Sequence, residues 1–384
     1  MKIRTYLLLT LIALLTSCSN SISNSDYIEK IHFTKNNILL SDSMDIDFVK
    51  LETNNECLIG TISNIEVFEN RIFILDRRFT ESLFVFDMNG KFISKIGSKG
   101  GGPGNYVFPI DFTIDKENRM VVIDDGNRNN LLFYDLDSYK YLYSKNHTTH
   151  FFDFLISKNQ FFLFSPYGFD ESRSDNYVLV TDSSLKPILK GWKCSFRTRN
   201  LSTINANFIY NCNNKIFVYH HLFPYIYEIA ENECKLSKEL SFEGFQFQSL
   251  DPHNNESSDD YLKKIDKSEI IIKAYAIFEL NDILLIQLLH GYQFSFALYN
   301  KKTEESCIFN LKEYYYSLGL SALMYPINVS DDKIICSISS DQLPDMINTK
   351  NPKLAEISEG MTEDDNPIIC FIKWNAFDKP KGQM

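Results

Sequence analysis

The 384-residue sequence has no CxxC pair and no Cys/His spacing of the kind that holds zinc. Seven cysteines follow Cys18: Cys57, Cys194, Cys212, Cys234, Cys307, Cys336 and Cys370. An odd number without paired spacing excludes a disulfide framework. These thiols read as small apolar residues within strands, with one or two disulfides still allowed. Basic residues are also scarce, 39 Lys and Arg against 50 Asp and Glu, for a net charge of −11. That balance argues against a general nucleic-acid binder. Beyond the first fifteen residues, no apolar stretch is long and charge-free enough for a membrane helix. The phosphate-loop spacing GxxxxGK[ST] is absent too. The Gly-rich run Gly97–Pro109 leads into a strand, where phosphate binding needs a helix N-terminus.

What the chain does have is repetition. Arg71–Asp76, a polar loop, Leu83–Asp87, a turn at Met88–Gly90 and Lys91–Gly97 form one copy of a strand pattern. Met120–Asp124, a polar loop, Leu131–Asp135, a turn at Leu136–Ser138 and Tyr139–Ser144 form the next. Fainter copies follow at 159–182, 215–230, 283–300 and 333–374, each preceded by one more apolar strand. The 31 Phe and 21 Tyr suit strands. A unit of this kind cannot bury both of its faces alone, so six units stacked around an axis give an all-β six-bladed β-propeller. Closure requires a strand from one terminus in the last blade, and Asp47–Leu51 is the candidate. A two-sheet sandwich is the alternative, disfavoured by the long repeat spacing.

Lys2 and Arg4 precede an apolar run from Tyr6 to Leu15, and then Leu15-Thr16-Ser17-Cys18. This resembles a bacterial lipoprotein signal. It implies cleavage before Cys18, lipidation of that residue, and a body held to a membrane by acyl chains. Residues 18–45 then read as lipidated cysteine and tether, with Ser19–Ser25 a flexible polar stretch, and 46–384 as the propeller.

The run Gly97–Pro109 with Ile110–Asp115, Val121–Asp124 and Leu131–Asp135 resembles an NHL-type repeat. More closely, the chain resembles the lipid-anchored 6-bladed β-propeller family of Bacteroides-like bacteria, a likeness that includes Leu51-Glu-Thr and Glu363-Asp-Asp-Asn366-Pro367. The resemblance implies the fold and a cell-envelope location, with the outer membrane the expected site. It carries over no catalytic residue and no cofactor.

In an antiparallel blade the loop between the second and third strands shares a face with the crossover to the next blade. That rule gathers Arg77, Arg78, Arg128, Tyr167, Arg173, His220, His221, Tyr225, His290 and Tyr292 on one rim, beside the Gly-rich crossover. Arg offers a planar fork of donors and Tyr a ring face with a hydroxyl, a pairing suited to a sugar acid or an acidic peptide. Ordinary solvated loop residues give the same pattern. His220 and His221 are adjacent, so strand alternation turns them apart and no metal site is expected. Asp76, Asp124 and Asp125 are candidate acids or bases, against the alternative that they end strands by accepting backbone hydrogen bonds. Polar insertions at Ser249–Ser268 and Ser340–Pro367, the latter with a capped short helix from Pro352, are placed near that rim as lids or packing elements. The leading function is a binding or scaffolding lipoprotein for a glycan, a peptide or an envelope protein. The alternative is a lyase or hydrolase, including a metal-dependent lactonase-like hydrolase, with its site in the same mouth.

Overall fold

Arg71–Asp76 and Ser82–Asp87 are apolar at consecutive rather than alternating positions, a pattern that suits a strand covered on both faces. The computed structural model shows what covers them. It describes residues 28–35, 44–169, 176–193, 207–231, 233–247, 267–291, 293–310, 324–347 and 349–374, with single positions 263, 312, 315 and 320. The chain forms six antiparallel four-stranded blades around one axis, each with its first strand innermost.

Blade 1 holds β3 (Asn64–Phe68), β4 (Arg71–Asp76), β5 (Ser82–Asp87) and β6 (Phe92–Ile96). Ile72 and Ile74 of β4 pack toward Ile369 and Phe371 of the last blade. Phe73 and Leu75, pointing the other way, join Phe112, Val121 and Ile123 of the second. Each central strand therefore feeds two inter-blade cores, which is why it needs no polar face; every such side chain contributes about 1.5–3 kcal/mol. The outer strand β6 has one covered face and alternates accordingly.

The short strands β7 (Ser98–Lys99) and β8 (Asn105–Tyr106) pair in parallel within the Gly-rich crossover. Gly97 and Gly104 there have φ of 69° and 74°, and a Cβ on Gly104 would lie 2.7 Å from that of Tyr141. Blade 2 is β9 (Pro109–Asp115), β10 (Met120–Asp125), β11 (Asn130–Asp135) and β12 (Tyr141–Asn146). Blade 3 is β13 (Asp153–Ser157), β14 (Gln160–Phe164), β15 (Asn176–Thr181) and β16 (Pro187–Lys193). Blade 4 is β17 (Ile209–Cys212), β18 (Lys215–Tyr219), β19 (Tyr225–Ile229) and β20 (Cys234–Phe242). Blade 5 is β21 (Lys273–Glu279), β22 (Ile283–His290), β23 (Gln293–Asn300) and β24 (Ser306–Phe309).

Blade 6 comprises β25 (Tyr325–Ser330), β26 (Lys333–Ile338) and β27 (Ile368–Trp374), with β2 (Met44–Lys50) from the N-terminal region as its outer strand. The antiparallel register runs from Met44 opposite Trp374 to Lys50 opposite Ile368, so the ring is closed as the sequence predicts. Asn366 locks the closure. It is fully buried, its Oδ1 accepts the Ile59 amide at 2.7 Å, and its Nδ2 donates to the Glu52 and Cys57 carbonyls at 2.7 Å each.

One strand falls inside the span read as tether. Glu29–Phe33, β1, pairs in parallel with β20 as a fifth strand of blade 4, Glu29 opposite Lys238 and Phe33 opposite Phe242. The Phe33 and Phe242 rings stack at 4.8 Å, and the Thr34 carbonyl accepts the Ile308 amide of blade 5. The span 18–45 read as lipidated cysteine and tether therefore includes a strand of the folded body. The insertion in blade 6 contains α1 (Leu343–Ile347) and α2 (Pro352–Ser358), the latter capped by Asn351, whose Oδ1 accepts the Leu354 amide. Of the Ser249–Ser268 insertion, only positions 263, 267 and 268 are described. The six cysteines among the described residues are all free. Cys336 and Cys370 face each other across β26 and β27 as buried thiols. No helix among the described residues is long and apolar enough to cross a membrane.

Candidate functional site

The six first strands enclose a channel of about 730 Å³ that runs out between the hairpin turns on one face, lined there by Glu69, Asn70, Lys116, Asn213, Asn214 and Asp331. We call this the hairpin face; the loops joining second to third strands and the crossovers form the loop face. First strands carry polar side chains where they meet the channel, and several of these stitch neighbouring blades. Asn328 Nδ2 donates to the Ile65 carbonyl at 2.7 Å. Asn64 Nδ2 donates to Asp111 Oδ1 at 2.7 Å, and Asp153 Oδ2 accepts the Ile209 amide at 2.9 Å. Burial pushes the Glu66 carboxyl up to about 7 and that of Asp111 up to about 6. Asp153 is raised by burial and then by the charge of Asp111. Glu279 ends below the ordinary range: burial raises it, but Lys238 at 3.2 Å and Lys301 at 2.7 Å outweigh that, and Tyr210 Oη donates to it.

The residues assigned to the rim fall on the loop face where they are described, yet few of them are open. His220 and His221 are 2% and 8% exposed, stacked on each other at 4.7 Å, which corrects the reading of both as surface groups. Phe164, Tyr177, Trp192 and Phe223 surround His220, and burial holds its imidazole down at about 3. Its Nδ1 accepts the Leu222 amide. Both rings turn inward because they sit at the end of β18, where the alternation expected of a regular strand no longer applies. Arg128 donates to the Gly100 and Asn105 carbonyls, fastening the Gly-rich crossover. Arg77 donates to the Ile110 carbonyl, and burial lowers its guanidinium. His290 bonds Ser295 Oγ at 2.8 Å and faces Phe245. Tyr225 opens β19 opposite Glu239. Tyr167 meets the ring of Phe152 edge-on at 4.8 Å. Arg78 is exposed and forms no ion pair among the described residues. Arg173, Tyr292, Cys18 and Cys194 lie outside the described residues.

Asp76 and Asp125 end their strands as backbone acceptors. Asp76 takes the amides of Gly60, Arg78, Phe79 and Thr80 and the Thr80 hydroxyl. Asp125 takes the Val107 and Phe108 amides, both at 2.9 Å. Asp124 is different: it is buried beside His147, with Oδ1 lacking a hydrogen bond. No group of three or more His, Cys, Asp or Glu among the described residues is placed to hold a metal ion.

The channel side chains Asn64, Glu66, Asp111, Asp153 and Asn328 were not among the sequence candidates. Their signal was a polar residue within an otherwise apolar first strand, as in Asn64-Ile-Glu-Val and Asp111-Phe-Thr-Ile.

A closed ring of six four-stranded blades around a polar channel is a six-bladed β-propeller. The chain belongs to the DUF5128 family of 6-bladed beta-propellers, matching it over residues 18–337. Its backbone is similar to that of a Bacteroides fragilis protein inferred to be exported, with 25% identity and a TM-score of 0.82 over 90% of this chain and 99% of that one. A Bacteroides vulgatus protein of the DUF4221 family shares the fold at 11% identity and a TM-score of 0.54, over 88% of this chain and 100% of that one. No curated protein matches the sequence.

Proposed function

We propose that this chain is an exported, lipid-anchored propeller of the bacterial cell envelope, at the outer membrane, that binds a glycan, peptide or envelope protein through its loop face. One observation carries the reading. Among the described residues, Phe79 (70%), Ile270 (56%), Leu58 (48%), Tyr325 (43%) and Phe152 (38%) are exposed on the loop face, and the other exposed large apolar side chains lie on outer strands. None is on the hairpin face. Apolar groups gathered at one end of a soluble fold suit a partner. Arg78 adds an unshared guanidinium beside Phe79 for an acidic group.

Two further features support it. β1 runs parallel to β20 and therefore enters blade 4 from the hairpin side, so a tether from Cys18 would leave away from the loop face. His220 and His221 are enclosed and the strand-end aspartates Asp76 and Asp125 are saturated, which leaves the half-buried His290 as the one accessible imidazole among the described rim residues. An enzyme reading moves instead to the channel, where Glu66 and Asp111 are half-buried carboxyls with raised pKa values.

The test is thermal stability of the body from Asn20 onward against acidic oligosaccharides, neutral glycans, acidic peptides and divalent metals. A rise that Phe79→Ala and Arg78→Ala abolish supports loop-face binding. A rise abolished only by Glu66→Gln assigns the ligand to the channel and overturns it, and no rise with any probe overturns the small-ligand form. Membrane release on Cys18→Ser tests the anchor separately.

A further inference from the structure

Asp124 and His147 form a pair that the propeller does not need for closure. Asp124 is the last residue but one of β10, opposite Asp111 of β9, and His147 follows β12 at the start of the crossover to blade 3. Their side chains are 4% and 7% exposed, and His147 Nε2 lies 3.4 Å from Asp124 Oδ1. Both atoms are buried, and neither has a hydrogen-bond partner in this geometry. The other ring nitrogen settles the tautomer: Nδ1 is 2.8 Å from the Thr149 carbonyl, which can only accept, so Nδ1 carries a hydrogen. In a neutral ring Nε2 would then set a lone pair against a carboxylate oxygen in a dry site. Only a proton on one of the two atoms makes the contact attractive.

We propose that Asp124 and His147 share one buried proton that clamps the crossover between blades 2 and 3, and that its loss loosens the loop-face aromatics which the crossover carries. The His147 amide donates to the Asn129 carbonyl at 2.9 Å, and its ring lies 4.9 Å from that of Phe151. Phe151 packs on Phe154, and Phe152 on Tyr167, so the clamp fixes one edge of the proposed docking face. The charged and titratable surroundings keep the proton in place. Asp111 faces Asp124 across the ladder, and Asp125 follows it with both oxygens committed to backbone amides. His150 sits nearby in the crossover, and Asp111 is itself flanked by Asp153 and Arg77.

Burial lowers the His147 imidazole, but the Asp124 carboxylate and the Thr149 carbonyl outweigh it and leave it raised. Burial raises Asp124. Both shifts mean that the folded chain binds the proton more tightly than the unfolded one. The stabilisation is present at low pH and is lost as pH rises through the titration of the pair.

The experiment is a proton NMR titration of the histidine ring signals of the soluble body from pH 5 to 9, with His147→Gln to assign His147. It is paired with amide-exchange protection across 147–152 over the same range. The expected result is a His147 midpoint above its ordinary 6.5, with protection of 147–152 falling at least tenfold through that midpoint. In Asp124→Asn the side-chain amide can donate to Nε2 without an added proton, so protection becomes independent of pH. A midpoint at or below 6.5, or protection that ignores the titration in the native chain, overturns the proposal. The native-chain titration decides even where Asp124→Asn does not fold.

Discussion

The second strand of each blade ends at the loop face, and blades 2 and 4 finish it in opposite ways. In blade 2 the terminal residue is Asp125, whose carboxylate is saturated by two amides of the preceding Gly-rich crossover. Blade 1 follows the same plan with Asp76 and the Gly60 amide. Directly after the second strand of blade 4 comes His220, neutral and enclosed by Phe164, Tyr177, Trp192 and Phe223. A crossover that delivers backbone N–H groups calls for an anion at this position. One that delivers rings calls for a flat group with a single acceptor. The repeat thus conserves a location while changing the force that holds it.

The largest effect should come from Asp76→Ala, because four amides and one hydroxyl lose a fully buried acceptor. A loss of about 3–5 kcal/mol in urea unfolding is expected. Asp76→Asn should recover part of it, since one oxygen survives. Asn366→Ala comes next, at about 3 kcal/mol, because it strips one amide and two carbonyls of their partners at the ring closure. Hydrogen exchange should then be fastest in β2 and β27, the strands that the clasp holds together. Equal loosening of all six blades would show that closure is carried by β2 pairing alone.

Asp125→Asn should cost about 2 kcal/mol, less than Asp76→Ala, because only two amides depend on the carboxylate and one oxygen remains. Its signature is local: proteolysis within 97–109 should rise while the other crossovers keep their resistance. Unchanged cleavage there would mean that Arg128, which donates to Gly100 and Asn105, holds the crossover alone.

The propeller was legible because the forces that make it are periodic. Ile72-Phe-Ile-Leu75 and Val121-Val-Ile123 must be apolar throughout to serve two cores, and Gly97 and Gly104 mark turns that need positive φ. The closing strand could be read from the unpaired edge it had to cover. β1 could not, because parallel addition to an outer edge has no turn signal, and Glu29–Phe33 is too short to show a period. Of the candidate site, the face was legible and the exposure was not. Sequence alternation put Arg77, Arg128, His220 and His221 on the correct side, but the burial of the two histidines and the carbonyls that engage the two arginines depend on segments the pattern does not place. The channel residues were overlooked for a related reason: Asp111 and Asp153 sit in otherwise apolar strands, where a single polar residue looks like noise until six such strands meet at an axis.

The smallest effect at neutral pH is the one that separates the two blades most cleanly. His220→Phe preserves the ring packing but leaves the Leu222 amide without its acceptor and removes the long, 3.4 Å bond from Nε2 to the Pro166 carbonyl, a loss of about 1 kcal/mol at pH 8. The acid side behaves differently. Burial holds the folded imidazole at about 3, against 6.5 when unfolded, so between those values only the unfolded chain takes up the proton. Stability is therefore lost as pH falls from 6.5 toward 3, by about 2 kcal/mol at pH 5. His220→Phe removes that penalty, and its urea midpoint should lie below that of the native chain at pH 8 and rise above it near pH 5. Asp125→Asn should show no such crossing. If His220→Phe stays below the native chain at both pH values, His220 is not held neutral in the fold, and the contrast between a charged strand end in blade 2 and a neutral one in blade 4 disappears.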